Sequence, residues 1–212
     1  MGNSATYRIH TGEDVREAYA MARGLLALAE TTCNCPSYIS ADVQTGTHAA
    51  LDRYLVLDSA SMALSVPADL VSPVTETLRP HRGPNDQPSR RRDGGAYLRT
   101  KLTPAVIAAL RRLPPMAAEI LTPDVPLSSD LPDRLLAVLN ADSATISWHA
   151  CWPESHSHDG FELGVNGAEL WHLETPAGHS VYVHVSPWRP EDAHELAAKV
   201  GGRVIGEPAT GW

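Results

Sequence analysis

Between Ser143 and Ser186 the chain alternates apolar and polar residues, breaks at turn formers, and alternates again. A period of two over such lengths is the signature of half-buried β-strands, so this stretch commits the fold to a sheet with one apolar and one polar face. Thr145–Cys151 places Ile146, Trp148 and Ala150 on one side and Thr145, Ser147, His149 and Cys151 on the other. Phe161–Val165 reads as another strand, and Glu169–Ser186 as a hairpin around Pro176-Ala-Gly178, with Gly in the left-handed position. That register sets Trp171 against Val183 and Leu173 against Val181, and the opposite face then carries His172, Glu174, Tyr182 and His184. A one-residue slip would mix the faces.

Helices are read from their own period. Val15, Ala18, Tyr19, Ala22, Leu25, Leu26 and Ala29 mark one face of an amphipathic helix, with Thr11 expected as its cap in a capping box. Further helices are expected after Ser72-Pro73, after Thr103-Pro104, over Asp130–Asn140, and over Glu191–Val200 before Gly201-Gly202. Strands are expected over Ala5–His10, Tyr38–Gln44, Arg53–Asp58, Met62–Val66 and Arg203–Ile205. Residues 80–101 are dense in Pro, Gly and Arg at their start and read as a linker or long loop. The expectation is an α+β fold of antiparallel β-hairpins packed against amphipathic helices. It has an N-terminal half (1–79) and a C-terminal half (102–212), each repeating a helix–three-strand–helix rhythm.

Charge limits the partners. The formal net charge is −8, yet residues 80–128 carry eight cations and four acids. Such a balance disfavours nucleic acid except through that middle segment, and suits docking on a basic protein. The helix–three-strand–helix order also occurs in double-stranded-RNA-binding domains, but their second helix is basic, whereas Glu191, Asp192 and Glu195 stand there in this chain. No run has the length of a membrane span, and the N-terminus lacks the basic and apolar regions of a signal peptide. Three cysteines make no disulfide framework, and a cytoplasmic location is expected.

Six of ten histidines fall within Ser143–Ser186. His156, His158 and His179 are expected in loops. If the strands are adjacent, His149, His172 and His184 share a face with Glu174 and Tyr182, with His172 and His184 about 7 Å apart at the backbone. Three imidazoles could hold zinc or iron; without metal, His172, Glu174, Tyr182 and His184 are the candidate acid–base groups. The competing reading is the solvated face of an antiparallel sheet. Cys33-Asn-Cys35 lacks the redox spacing, and Arg90-Arg-Arg92 reads as a solvated loop or a phosphate grip. No phosphate loop, dinucleotide fingerprint or metalloprotease helix occurs. The leading expectation is a cytoplasmic binding protein acting through its acidic surface on a protein partner, in an immunity, inhibitor or regulatory role. The alternative is a small zinc- or iron-dependent enzyme or small-molecule binder using the His/Glu/Tyr face.

Overall fold

A computed structural model describes residues 4–29, 36–83, 87–153, 159–168, 170 and 177–211. In chain order the strands are β1 (Ala5–Gly12), β2 (Tyr38–Thr45), β3 (Ser61–Val66), β4 (Ser89–Arg90), β5 (Ala96–Lys101), β6 (Ala118–Leu121), β7 (Ser143–His149), β8 (Gly160–Val165), β9 (His179–Val185) and β10 (Ile205–Thr210). The α-helices are α1 (Val15–Leu28), α2 (Val71–Leu78), α3 (Pro104–Leu110), α4 (Leu131–Val138) and α5 (Pro190–Lys199), with a 3₁₀ helix over His48–Val56. Helices and antiparallel strands are mixed, as the α+β reading requires. The chain forms two compact units, one of Met1–Ser40, Asp124–Ser129 and Ser143–Trp212, the other of Ala41–Pro123 and Asp130–Asp142. The composition put the break at 80–101; the units are instead discontinuous in sequence.

In unit 1 the strand order is β10-β1-β9-β8-β7. Tyr7, Val183, Phe161 and Trp148 line up across four of these strands. Trp148 stacks on Phe161 with centroids 4.9 Å apart and rings 12° from parallel. Helix α1 lies on β1, β8 and β9, and α5 on β1 and β9. The face of α1 that is buried (Ala18, Met21, Ala22, Leu25) keeps the i, i+3, i+4, i+7 spacing read from sequence. Its cap differs from expectation. Asp14 accepts the Arg16 N–H at 2.8 Å, a contact of about 1 kcal/mol. Thr11 remains in β1, its hydroxyl 3.2 Å from that of Ser180.

In unit 2 the order is β2-β6-β3-β5-β4. Two sequence expectations fail here. Arg53–Asp58, expected as a strand, belongs largely to the 3₁₀ helix, whose buried residues His48, Leu51 and Tyr54 recur every three positions. The first half therefore lacks its middle strand, and the three-strand rhythm with it. The 80–101 segment, expected as a linker, contains a hairpin. Arg91 N–H bonds Gly95 O, Asp93 Oδ1 accepts the Gly95 N–H, and Gly94 takes φ +85°. A side chain at Gly95 would meet the Val66 carbonyl at 2.5 Å. β5 then pairs with β3 over its whole length and buries Ala96, Leu98 and Thr100.

Of four further helix ends, two hold a terminating residue and two do not. Thr103 caps α3 by accepting the Val106 N–H at 3.2 Å, as its sequence implies. Ser72 lies inside α2 rather than capping it. Asp130 precedes α4 but pairs with Arg134 at 3.0 Å and caps no backbone N–H. Gly201, φ +79°, ends α5 as expected.

Candidate functional site

Unit 1's sheet has a polar face, and its register defines the site. One row runs Thr6, His184, Gly160, His149 across β1, β9, β8 and β7; the next runs Arg8, Tyr182, Glu162, Ser147. The expected partner segment of β9, from Trp171 to Pro176, lies outside the described residues, and so do His172 and Glu174. Both edges of β9 are taken by β1 and β8. His184 therefore faces Thr6 and Gly160 rather than Leu170, and Tyr182 faces Arg8 and Glu162 rather than His172.

The three described candidates do share this face. His184 and His149 stand two strands apart in one row, about 10 Å at the backbone, with Gly160 between them. The His149 ring stacks on Tyr38, centroids 4.2 Å apart. Cys151, next on that strand's path, is buried and disulfide-bonded. A disulfide suits an oxidising compartment better than the reducing cytoplasm expected from the cysteine count. No helix among the described residues is long and apolar enough to cross a membrane.

His184 is fully buried, and both ring nitrogens are engaged. Nε2 lies 3.0 Å from Glu162 Oε2, and Nδ1 lies 3.0 Å from Thr6 Oγ1 and 3.4 Å from Ser4 Oγ. Ser147 donates its hydroxyl to Glu162 Oε1 at 2.9 Å, and Trp152 Nε1–H donates to the His184 carbonyl at 2.8 Å. Facing the carboxylate, Nε2 carries the proton, which leaves Nδ1 to accept from a hydroxyl in the neutral ring. Gly211 is pressed on this network: a Cβ there would come within 2.7 Å of Ser4 Oγ, Thr6 Oγ1 and His184 Nδ1. Only glycine fits.

Tyr182 is also fully buried, and among the described residues its hydroxyl meets no partner at hydrogen-bond geometry, although Ser180 and Arg8 stand close to it. Burial raises its pKa, Glu162's charge adds to the rise, and nearby Ser180 and Arg8 oppose it. The hydroxyl–imidazole–carboxylate order Thr6–His184–Glu162 is that of a nucleophile, base and orienting acid. Metal ligation by His184 would have to displace Glu162 or Thr6. Among the described residues, no three His, Cys, Asp or Glu side chains gather closely enough to hold a metal ion.

Sequence reasoning missed Glu162, Thr6 and Arg8. Glu162 was legible as the polar residue in Phe161–Val165, but nothing local showed that β8 pairs with β9. Thr6 and Arg8 come from a strand more than 170 positions away.

A different part of unit 1 bears on partners. Unit 1 holds six cations and fourteen acids, unit 2 eleven of each, so the whole net charge falls on unit 1. Trp188, between β9 and α5, is 89% exposed. Behind it the first turn of α5 carries Glu191 and Asp192, with Asp192 paired to Arg189 at 2.9 Å and Glu195 exposed one turn on. No protein-family model matches the chain, and no curated protein or solved structure matches it either.

Proposed function

We propose that this is a binding protein that docks unit 1 on a basic protein partner, in an immunity, inhibitor or regulatory accessory role. The observation that carries this reading is Trp188, 89% exposed beside the acidic start of α5 on the unit that bears all the net charge. An exposed indole offers an interface a rigid apolar anchor, and tryptophan is enriched among the residues that dominate binding energy. Acidic side chains around such an anchor steer a basic surface onto it and weaken in salt.

The test compares immobilised wild type, Trp188→Ala and Glu191→Gln/Glu195→Gln in capture from the native host. The captured protein is then identified, purified and titrated. A basic protein should bind, with Trp188→Ala weakening the affinity about 30-fold and the double variant reducing the salt dependence. An acidic partner, or capture unchanged by Trp188→Ala, overturns the reading.

The Thr6–His184–Glu162 order favours a second reading, a small enzyme or small-molecule binder on unit 1's polar face. A metal-dependent version would use zinc or iron on His149, His172 and His184. Elemental analysis of the purified protein and of His149→Ala separates the versions. Stoichiometric zinc or iron lost in the variant supports the metal, and metal-free protein rules it out.

A further inference from the structure

Unit 2 also has a polar sheet face, and this one is open. On β5 the buried residues alternate with exposed Tyr97, Arg99 and Lys101. Across the pair to β3, these three stand opposite Ser65, Ala63 and Ser61. The middle row continues through Glu119 on β6 to Gln44 on β2. The floor of the face is therefore small, with a large aromatic on one side and an amide and a carboxylate on the other.

Tyr97 is 52% exposed. The Arg91 guanidinium sits 5.1 Å from its ring centroid, fixed by hydrogen bonds to Ser65 Oγ and Asp93. The ring borders a cleft of about 290 Å³ whose other walls are Ala63, Ser65, Ala117, Gln44 and Glu119. Gln44 Nε2 donates to Glu119 Oε1 at 2.6 Å. Between Ser89 and Lys101 the chain carries five cations and one acid, Asp93. Arg99 leans on Ser61 Oγ at 3.3 Å and keeps further donors toward solvent.

We propose that this face binds single-stranded nucleic acid. One base stacks on the face of Tyr97 that Arg91 leaves open, and the adjoining phosphates engage Arg99 and Lys101. Gln44 and Glu119 offer a donor and an acceptor to the base edge across the cleft. An exposed ring backed on one face by a guanidinium, with two further cations on the same open antiparallel sheet, suits such strands, because every base has a π-face and every linkage a negative charge. Unit 2 is electrically neutral overall, so the repulsion of the acidic chain comes from unit 1. This role is independent of the protein-docking reading.

The test is fluorescence anisotropy of the full-length protein with labelled RNA and DNA single strands of about twelve nucleotides, titrated with salt. Duplexes and free mononucleotides serve as competitors. Tyr97→Ala should weaken single-strand binding about five-fold or more, since each stacked base contributes at this scale. Arg99→Gln/Lys101→Gln should lower the slope of log affinity against log salt by about 1.4, two phosphate contacts' worth. All three side chains are exposed, so circular dichroism should stay unchanged. No binding at low salt, binding indifferent to Tyr97→Ala, or duplex competing as well as single strand overturns the proposal. Mononucleotide displacing the strand at equal base concentration overturns it too, and assigns the cleft to a small nucleotide.

Discussion

The two units build their polar sheet faces from similar side chains and use them in opposite ways. In unit 1 every residue of β8 and β9 is buried, on both faces. In unit 2, β3 and β5 bury only alternate residues, and β5 exposes the rest. Cover decides the role. A buried polar atom must find an internal partner, and unit 1 answers with the chain Ser147–Glu162–His184–Thr6. On the open face Arg99 gives Nε and Nη2 to Ser61 Oγ, and its remaining donors, like exposed Lys101, are open to a ligand. A histidine or tyrosine in the sequence therefore says little about chemistry until its cover is known.

The largest expected effect tests that contrast directly. Glu162→Ala leaves the fully buried His184 Nε2–H without its acceptor and takes the half-buried Ser147 hydroxyl's partner away. Leaving a buried donor unsatisfied in this way costs about 1–3 kcal/mol. Glu119→Ala on the open face should cost about 0.5 kcal/mol or less, because water replaces what is lost. Urea unfolding of both variants measures the difference. A loss below about 1 kcal/mol for Glu162→Ala would mean that water reaches the unit 1 face, and the contrast would fail.

A buried histidine in unit 2 sharpens the same point through pH. His48 Nε2–H donates to the Leu110 carbonyl at 3.0 Å and Nδ1 accepts the Met116 N–H at 3.2 Å, so the ring is held neutral. Burial lowers its pKa below the ordinary value, against a smaller upward pull from the backbone contacts. The unfolded chain then takes up a proton at higher pH than the folded one. Stability is complete above the unfolded pKa of about 6.5 and falls as pH drops toward the folded pKa, by at most about 1.4 kcal/mol per pH unit. His48→Gln should be less stable at neutral pH and should lose that slope. Urea midpoints between about pH 7 and pH 5 give the answer.

How far the sequence could be read follows from the range of the interactions. Helix α1 was legible because Ala18, Ala22 and Leu25 repeat locally. The polar face of β7 was legible because alternation needs no partner. Strand β5 was hidden behind Arg91-Arg-Asp-Gly-Gly95, whose turn chemistry looks like a linker until Gly95 is seen against the Val66 carbonyl. The run from Arg53 to Asp58 is a short apolar stretch of strand length, and only its packing selects the three-residue period of His48, Leu51 and Tyr54. Tyr182 and His184 share a face of β9 by alternation alone, but the strands on its two sides, β1 and β8, are not legible from that stretch. Pairing with β1 is a long-range choice that no window around residue 184 contains.

A smaller effect of opposite sign is expected at Tyr182. Its hydroxyl is desolvated on folding and finds no partner at hydrogen-bond geometry among the described residues, so Tyr182→Phe should stabilise the protein by about 1 kcal/mol. Loss of stability instead would reveal a partner for that oxygen, and a bound polar molecule between Arg8 and Glu162 would become the leading reading of the unit 1 face.

The smallest effect is expected on the open face. Tyr97→Ala removes a half-exposed ring and its contact with Arg91, which is worth about 0.5 kcal/mol in water. The guanidinium keeps its bonds to Ser65 and Asp93, and Ala96 and Leu98 stay packed on the other side of the strand. Unfolding free energy should therefore move by no more than about 0.5 kcal/mol, while any binding that depends on the ring is lost. A large drop in stability would show that Tyr97 is part of the packing. The two polar faces would then differ in degree of burial and no longer in kind.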